Sequence, residues 1–249
     1  MILLLAVIWV WKQWPDERLH IAFCDVGQGD ATVIVLGPFQ ALVDTGADRN
    51  KVLECLGTQM PFWDKRIEVV FISHTDKDHS GALPEIRKSY RVDRVVDKPQ
   101  INDVVRYGNL SFDIVKGSEP IDTLIKSSSE TNAKSVVMRV TYGVLSLLFT
   151  GDTDLSTELA LLSSGVLKKS EVLKVSHHGS KYGSGNEFLQ TVSPKFAIVS
   201  VGEKNSYGHP ASDTLIRLDM VGAKVMRTDK VGTISLVSDG KKLEVFTEH

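Results

Sequence analysis

At residues 73–81 the chain reads Ser-His-Thr-Asp-Lys-Asp-His-Ser-Gly, directly after an apolar run at residues 67–72 that is short enough to be a buried strand. Within six residues the stretch has four side chains of metal-binding type: His74, Asp76, Asp78 and His79. A loop that leaves a strand can direct alternate side chains at one centre, and carboxylate oxygen and imidazole nitrogen both bind divalent cations. The stretch therefore predicts a site for one or two metal ions. The alternative is a polar loop that caps the helix beginning near Gly81.

Four other predicted strands also lead into aspartate or histidine. The relevant segments are Val43-Asp44-Thr45-Gly46, Leu148-Phe149-Thr150-Gly151-Asp152, Val175-Ser176-His177-His178-Gly179-Ser180 and Tyr207-Gly208-His209-Pro210. Each segment alone is weak evidence, because aspartate beside glycine is common in turns. Together with the first stretch, they indicate one site along the edges of the sheets, on loops that a rigid scaffold holds.

The order of the predicted elements indicates the fold class. Glycine-containing turns separate the first apolar runs, which predicts an antiparallel opening at residues 19–26, 31–36 and 40–43. In the second half, predicted helices separate the strands at residues 172–175, 196–201 and 223–227. This order predicts one α/β domain, in the broader α+β sense, in which two mixed sheets pack face to face with helices outside.

Composition excludes several classes of protein. The chain has 249 residues, a formal net charge of −2, 42% hydrophobic residues and 24% charged residues, which excludes wholesale disorder. With a charge near zero, nucleic-acid binding would depend on a local basic patch. Two cysteines cannot make a disulfide framework or a four-cysteine zinc site, and Cys24 and Cys55 are predicted to be small core residues.

The start of the chain is its one compositional anomaly. Residues 1–11 read MILLLAVIWVW and carry no charge, but the run is shorter than the roughly 20 residues that span a membrane and lacks the basic start of a secretory signal. We interpret residues 1–15 as an apolar segment, the possible end of a membrane helix, and residues 19–249 as the main domain. The alternatives are a short anchor, or a strand or helix packed on the body.

The motifs as a set resemble the metallo-β-lactamase superfamily, and in particular the metallo-β-lactamase-like domain of the ComEC family of competence channels, which take up single-stranded DNA. The resemblance covers about residues 19–238, and further motifs that carry it are Asp25-Val-Gly-Gln-Gly-Asp30, Leu173-Lys-Val-Ser-His-His-Gly-Ser180 and Arg227-Thr-Asp229. It implies an αββα sandwich with a metal-dependent hydrolase site. In ComEC the domain lies outside the membrane, and a nuclease role on the non-transported strand is attributed to it.

The resemblance also implies a set of metal ligands, namely His74, Asp76, Asp78, His79, Asp152 and His177. The superfamily favours histidine at position 76 and a further histidine before His177, where this chain has Asn132 instead. The half of the site built on His74 and Asp76 is therefore rich in oxygen, which suits Mn²⁺ or Mg²⁺. The half made of Asp78, His79 and His177, with Asp152 able to bridge, is complete and is expected to fill first. Mn²⁺ or Zn²⁺ are the expected ions, with Mg²⁺ as a further candidate.

Several other residues are assigned roles around these ligands. Asp78 is predicted to orient or deprotonate the attacking water or to ligate a metal, and the sequence leaves both roles open. Asp44 is predicted to hold a ligating histidine by a hydrogen bond, or simply to form the turn before Gly46. His209 is a candidate donor to the scissile phosphate or the leaving group. His178 is predicted to face away from the site and to pack or cap.

The remaining assignments concern the substrate. Asn132 and Ser180 are candidates for hydrogen bonds to phosphate oxygens. Lys77 and Lys181 are expected to bind substrate phosphates, and Tyr182 and Tyr207 to stack on a base, although solvated lysines and packed tyrosines are the simpler alternatives.

Three functions remain open at this stage. The leading one is a phosphodiesterase or nuclease that acts on DNA during uptake, with single-stranded DNA as the expected substrate. Its expected partner is a ComEC-like membrane channel domain in the same chain or in another. The second is a hydrolase of a small ester, lactone or phosphoester, and the third is a catalytically decayed domain that guides DNA. The first implies the extracytoplasmic face of the bacterial membrane, whereas a standalone hydrolase would be cytoplasmic.

Overall fold

The computed structural model describes residues 16–120 and 129–249, and within them the first of two sheets has seven strands. These strands are β1 (Leu19–Phe23), β2 (Thr32–Leu36), β3 (Phe39–Val43), β4 (Arg66–Phe71), β5 (Arg91–Val96), β13 (Ile234–Ser238) and β14 (Leu243–Thr247). Their order across the sheet is β14-β13-β1-β2-β3-β4-β5. The pairs from β14 to β3 are antiparallel, whereas β3, β4 and β5 run parallel.

The second sheet also has seven strands within the described residues. They are β6 (Val104–Tyr107), β7 (Leu110–Lys116), β8 (Val137–Tyr142), β9 (Leu145–Phe149), β10 (Val172–Lys174), β11 (Phe196–Val199) and β12 (Lys224–Arg227). Their order is β12-β11-β10-β9-β8-β7-β6. The pairs from β6 to β9 are antiparallel, and β9 to β12 run parallel.

Helices connect the parallel strands. The described helices are α1 (Arg49–Gln59), α2 (Lys77–Ser80), α3 (Leu83–Ser89), α4 (Glu130–Ala133), α5 (Leu155–Ser163), α6 (Asn186–Val192), α7 (Ser212–Met220) and α8 (Thr228–Val231), with a 3₁₀ turn at Ser176–Gly179. Asp48 caps α1, because its side chain accepts hydrogen bonds from the amides of Asn50 and Lys51.

The main apolar core lies between the two sheets. Phe23 and Ile34 from the first sheet and Phe112 and Leu147 from the second are buried in it. Two further clusters lie on the outer faces, where α1 and α3 cover the first sheet and α5, α6 and α7 cover the second. The molecule is therefore an αββα sandwich of two mixed sheets, as expected from the sequence.

The direction of the strands places the polar motifs at one edge of the sandwich. The carboxyl ends of β3 and β4 in the first sheet, and of β9, β10 and β11 in the second, lead into the loops that carry aspartate and histidine. Because the strands within each of these groups are parallel, their ends lie side by side. Loops from both sheets thus meet at this edge, which we call the site edge.

The opposite edge is closed by two turns that contact each other. The amide of Val144, in the β8–β9 turn, donates a hydrogen bond of 2.8 Å to the carbonyl of Gly240 in the β13–β14 turn. Gly143 has a φ of 59°, and a side chain there would collide with Gly240. The chain also enters the described structure here, since Leu19 pairs with Ser238 in the register of β1 and β13.

The two cysteines differ from their prediction as separate core residues. Both are buried, but Cys24 after β1 and Cys55 in α1 form a disulfide with a Cα–Cα distance of 6.0 Å. Because 31 positions separate the two residues, the pairing depends on how α1 packs on the first sheet and could not be read from local pattern.

Two expectations concern segments that are described only in part or not at all. The apolar segment at residues 1–15 lies outside the described residues, so its interpretation stays a prediction, as does the division at residue 19. Residues 121–128 also lie outside the described part, and the short helix α4 follows them. Within the described residues, no helix has the length and apolar character needed to cross a membrane.

Candidate metal centre

The loop after β4 is held in place by the first sheet. The carbonyl of Asp78 accepts a hydrogen bond of 3.0 Å from the amide of Asp30, and the carbonyl of His79 accepts one of 2.6 Å from the amide of Thr45. Gly29 lies so close to the backbone of Asp78 that a side chain there would collide with it. The position of the metal-type side chains is therefore set by the backbone around them.

Asp44 orients this loop and one of its histidines. Its Oδ1 accepts a hydrogen bond of 2.7 Å from the amide of Ser73, and its Oδ2 lies 2.9 Å from Nδ1 of His79. All three side chains are buried. A carboxylate on Nδ1 leaves Nε2 of the ring free to bind an ion, which is the usual support of a metal-ligating histidine. Nε2 of His79 lies 3.2 Å from Oδ1 of Asp152.

The turn after β10 brings two adjacent histidines to the same carboxylate. His177 and His178 both have left-handed backbone conformations, with φ of 47° and 53°. His178 is buried, its Nδ1 lies 2.9 Å from the carbonyl of Ser200, and its Nε2 lies 3.3 Å from Oδ2 of Asp78. The prediction that His178 faces away from the site is therefore wrong. Successive side chains alternate only in an extended chain, and this turn is not extended.

Asp152 stands at the middle of the cluster, at the end of β9. Its Oδ1 faces His79 and His178, whose Nε2 atoms lie 3.2 and 3.8 Å away. Its Oδ2 faces His74 and His177, whose Nε2 atoms lie 3.8 and 3.7 Å away. The two oxygens of one carboxylate thus face two separate pairs of imidazole nitrogens.

Each pair of nitrogens has a further carboxylate beside it. Asp78 is next to His178, and together with His79 and Asp152 these residues have ligand atoms that all lie within 4.8 Å of one another. Asp76 is next to His74, with 3.6 Å between Oδ2 and Nε2. Thr131 donates a hydrogen bond of 3.1 Å to Oδ2 of Asp76 and so orients it.

The hydrogen bonding of the cluster is incomplete without an ion. Several of its buried atoms have no hydrogen-bond partner within the described residues: Nε2 of His74, His79 and His178 and Oδ1 of Asp152. Buried polar atoms are nearly always paired, so a group of unpaired ones directed at the same space needs an explanation. Imidazole nitrogens and carboxylate oxygens are the donors that divalent cations take from proteins, and the residues present fit such an ion.

The charges of the cluster are consistent with a site for a divalent cation. Burial alone would raise the pKa of Asp152, but His79 and His178 outweigh it and hold this pKa well below the usual value. Burial alone would lower the pKa of His178, but the carboxylates of Asp152 and Asp30 raise it to about 9. In the absence of an ion this ring carries a proton that neutralises the carboxylates. A binding cation would take the place of that positive charge.

Comparison with solved structures identifies the architecture. The metallo-β-lactamase-fold protein YhfI from Bacillus subtilis matches with a TM-score of 0.59 and 11% identity, over 89% of this chain and all of that one. Tm1679, described as a metal-dependent hydrolase of the β-lactamase superfamily, matches with a TM-score of 0.51 and 12% identity, over 84% of this chain and 95% of that one. The chain has the metallo-β-lactamase fold.

Sequence comparison adds the relatives. ComE operon protein 3 of Bacillus subtilis is 29% identical over 86% of this chain, and competence protein ComA of Neisseria gonorrhoeae is 28% identical over 88% of it. Recombination protein 2 of Haemophilus influenzae is 28% identical over 98% of it. The chain is related to ComEC-type competence proteins, although it spans only about a third of their length (32% for each of the three). No family model matches the chain.

The other predicted site residues of this metallo-β-lactamase-fold domain lie around the cluster. Asn132, on α4, is buried, and its Nδ2 lies 3.3 Å from Nδ1 of His177. The ring of His209 is centred 5.6 Å from that of His177, and burial lowers its pKa. Ser180 is buried below the turn, where its hydroxyl accepts a hydrogen bond from the amide of Tyr182. The hydrogen bond described for the Ser180 hydroxyl thus stabilises the turn after β10.

Lys77 and Lys181 are both exposed at the site edge. Lys77 begins α2, directly between Asp76 and Asp78, and Lys181 follows the turn of His177, with its Nζ 5.0 Å from the centre of the Tyr182 ring. Tyr182 and Tyr207 are 56% and 69% exposed, so both rings present a free face to the solvent.

Two residues near the metallo-β-lactamase-fold centre were assigned no role from the sequence. Asp30 is buried behind the histidines, where its Oδ1 lies 3.4 Å from Nδ1 of His178 and its Oδ2 lies 2.7 Å from Nζ of the buried Lys174. The sequence did contain a signal for this ion pair, because Lys174 follows Val172 and Leu173 in an otherwise apolar strand. A buried lysine needs a counter-charge, and the aspartate that ends the Asp-Val-Gly-Gln-Gly-Asp motif supplies it.

Proposed function

We propose that this chain is a metal-dependent hydrolase that cleaves phosphodiester bonds in DNA, and that it degrades the strand that is not transported during DNA uptake. The observation that carries the proposal is the arrangement of unpaired buried nitrogens around both oxygens of Asp152. The relationship to ComEC-type competence proteins supports DNA as the substrate. When bound, divalent ions in such a site lower the pKa of a water molecule and neutralise charge on the phosphate.

We assign the ligands to two halves on either side of Asp152. Asp78, His79 and His178 belong to the half that faces Oδ1, and His74, Asp76 and His177 to the half that faces Oδ2. His177 was expected in the first half, but in this assignment it supplies the nitrogen that the superfamily takes from a histidine absent here. The second half then has two nitrogens and remains rich in oxygen, which supports Mn²⁺ beside Zn²⁺ and Mg²⁺ as candidates.

The other residues bind and orient the substrate in this proposal. His209 is half-buried beside His177, and because burial lowers its pKa it is neutral at pH 7. A neutral ring there donates a hydrogen bond to the phosphate or to the leaving oxygen. Lys77 and Lys181 attract the neighbouring phosphates of the strand, and Asp78 holds the attacking water or an ion. Asn132 fixes the orientation of the His177 ring through the contact between its Nδ2 and Nδ1 of that ring.

We further propose that the domain acts at the extracytoplasmic face of the membrane. The Cys24–Cys55 disulfide supports this, because disulfides persist in oxidising compartments and are rare in the cytosol. The relatives are about three times as long as this chain, which leaves room in them for a membrane channel domain. The partner proposed here is such a channel, in the same chain or in a separate one, with residues 1–15 as the apolar segment that leads to it.

The test is cleavage of end-labelled single-stranded and double-stranded DNA with Mn²⁺, Mg²⁺ or Zn²⁺. We expect metal-dependent cleavage that falls by more than about a hundredfold in the Asp78→Ala and His79→Ala variants, since both side chains belong to the proposed ligand set. His20, which is half-buried on β1 and lies within hydrogen-bond distance of Asp16, provides the matched control His20→Ala, which should cleave normally.

Two results would contradict the proposal. One is the absence of DNA cleavage with every metal while a lactone or small phosphodiester is hydrolysed, which would favour a small-molecule hydrolase. The other is cleavage that is unchanged in the Asp78→Ala and His79→Ala variants, which would place the activity outside this site.

A further inference from the structure

A second feature with its own chemistry lies at the edge opposite the metal centre. It is a groove of about 520 Å³ between the β8–β9 turn, the start of β10 and the β13–β14 turn. Ser146 in this groove precedes the end of β9 by three residues, which corresponds to about 10 Å at roughly 3.3 Å per residue, and Asp152 lies in the turn beyond that end. The groove is therefore remote from the proposed ligands.

The groove is strongly basic although the chain as a whole is not. Its charged lining residues are four lysines and one glutamate: Lys169, Lys195, Lys241, Lys242 and Glu171. Glu171 is paired with Lys195 at 2.7 Å. The other three lysines are exposed and make no ion pair with any side chain in the described part of the protein. They form a concentration of positive charge in a chain whose net charge is −2.

The two lysines of the β13–β14 turn are held on a fixed frame. The amides of Lys241 and Lys242 both donate hydrogen bonds of 2.8 Å to Oδ1 of Asp239. The carbonyl of Gly240 accepts the hydrogen bond from Val144 in the facing turn. The acidic side chain of this turn is thus engaged with the backbone, while both ammonium groups extend to solvent. Val144, at the rim of the groove, is 71% exposed.

The chain enters the described structure at this same edge. Glu17 accepts a hydrogen bond of 3.2 Å at its carbonyl from the hydroxyl of Tyr142, next to the β8–β9 turn. Glu17 therefore lies beside the turn that contains Val144, and residues 1–11, which precede it in the sequence, are uncharged and apolar. An apolar segment flanked by basic side chains is the combination that binds anionic membranes, because lipid tails take the first and headgroup phosphates the second.

We propose that this groove binds the headgroups of anionic phospholipids, so that this edge of the protein rests on the membrane and the metal centre faces the water on the far side. A lysine near an anionic bilayer strengthens binding by about fivefold. A nucleic-acid strand is the less favoured occupant, because the groove is at the opposite edge from the metal centre and beside the apolar segment.

The experiment is sedimentation of the full chain with vesicles, in EDTA so that no catalysis contributes. Neutral vesicles of phosphatidylcholine are compared with vesicles that contain about one third phosphatidylglycerol. We expect Lys169→Gln, Lys241→Gln and Lys242→Gln together to weaken binding to the anionic vesicles by about a hundredfold, in proportion to the three charges removed. The loss should shrink as salt is raised, because surface charges are screened.

A matched control removes the same charge elsewhere. Lys88→Gln, Arg94→Gln and Lys98→Gln change three exposed positions on or near α3 and β5 and should leave vesicle binding within about threefold of the unaltered chain. Equal melting temperatures would establish that both triple variants are folded. The proposal is overturned if the two triple variants bind anionic vesicles equally, or if the unaltered chain does not distinguish the two vesicles. It is also overturned if the groove variant loses binding to an oligonucleotide while it retains binding to vesicles.

Discussion

Asp44 shows how one side chain positions the candidate centre. It accepts hydrogen bonds from the backbone and side chain of Ser73 and contacts Nδ1 of His79. Asp44→Asn should weaken the affinity for Mn²⁺ or Zn²⁺ by about 10- to 100-fold, because the amide cannot replace the carboxylate that supports the ring. Isothermal titration of metal-free protein measures this affinity directly.

The exposed carboxylate of Asp93 on β5 provides the control for this change, since Asp93→Asn should leave metal affinity unaltered. If Asp44→Asn and Asp93→Asn bind the metal equally well, Asp44 has no part in holding His79 for an ion. It would then serve only the turn before Gly46.

The role of a residue could be predicted where the ligands lie close together in the sequence, and not where it depends on an unusual backbone conformation or on a distant segment. His74, Asp78 and His79 were found from the sequence because they lie in one short stretch after a strand. The orientation of His178 was not, since left-handed backbone is uncommon outside glycine and the histidine pair gave no sign of it. The pairing of Asp30 with Lys174 joins residues that are far apart in the chain, and only the packing of the two sheets brings them together.

At the scale of elements, Glu158 on α5 anchors the segment that follows the two histidines. Its carboxylate accepts hydrogen bonds of 2.6 Å from the amide of Ser184 and 2.8 Å from that of Gly185. Arg217 on α7 donates to the carbonyls of Gly183 and Ser184 from the other side. A helix from each side thus fixes this segment.

Glu158 should make the stability of the fold depend on pH. Burial raises its pKa to about 7 in spite of the hydrogen bonds, against 4.5 for an ordinary glutamate. A raised pKa means that the folded protein holds the proton more tightly, so this stabilisation is present below pH 4.5 and is lost as pH rises through 7. Between about pH 5.5 and pH 8, the free energy of unfolding should fall by about 2 kcal/mol relative to Glu158→Gln.

Urea unfolding of both proteins across this pH range measures the difference. The exposed Glu187 on α6 provides the control, because Glu187→Gln should follow the pH dependence of the unaltered chain. A constant difference between the unaltered chain and Glu158→Gln at every pH would show that Glu158 does not titrate in this range.

The disulfide connects two elements of the first layer, the end of β1 and α1. Cys24 and Cys55 are 31 positions apart, and closing a loop of that length in the unfolded chain stabilises the fold by about 3–4 kcal/mol. Reduction, or Cys24→Ser with Cys55→Ser, should lower the free energy of unfolding by this amount. Unfolding in urea with and without reductant tests it, and identical midpoints would contradict it.

The elements themselves were largely predictable. Short apolar runs bounded by glycine-containing turns indicated most strands, because these signals are local. The four-residue helices α2 and α4 were not predicted, since so short a helix has no periodicity to detect. The disulfide was not predicted because it depends on the packing of α1 against the first sheet and not on local sequence.

At the scale of the whole molecule, a buried ion pair connects the two sheets. Asp30 follows β1 in the first sheet, Lys174 ends β10 in the second, and the two charges lie 2.7 Å apart in the interior. Lys174→Met should destabilise the fold by about 3–5 kcal/mol, because it removes the ammonium group that lies nearest to the buried carboxylate of Asp30 and neutralises it. Urea unfolding in EDTA measures the loss.

Two further variants separate charge from packing. Asp30→Asn combined with Lys174→Met should be more stable than Lys174→Met alone, since the carboxylate that loses its ammonium partner is then replaced by a neutral amide. Lys88→Met breaks the exposed pair with Glu85 and should leave the free energy of unfolding almost unchanged. If Lys174→Met costs no more than Lys88→Met, the ion pair does not hold the sheets together.

The sandwich as a whole followed from the order of its elements, whereas the pairing of β1 with β13 joins the two ends of the described chain. No local pattern indicates such a contact, because any apolar strand can occupy the centre of a sheet. The edge at which the chain enters and the groove beside it were consequently outside the reach of the sequence.

The candidate ligands come from both sheets, and this has a thermodynamic consequence. His74, Asp78 and His79 follow β4, whereas Asp152 and His178 follow β9 and β10. An ion held by both groups would crosslink the two layers and bind the folded chain only. At a free concentration of 100 times its Kd, such an ion adds about 2.7 kcal/mol to the free energy of unfolding. The supply of metal would then set the lifetime of the folded protein against proteolysis, and starvation for the ion would remove the protein as well as its activity.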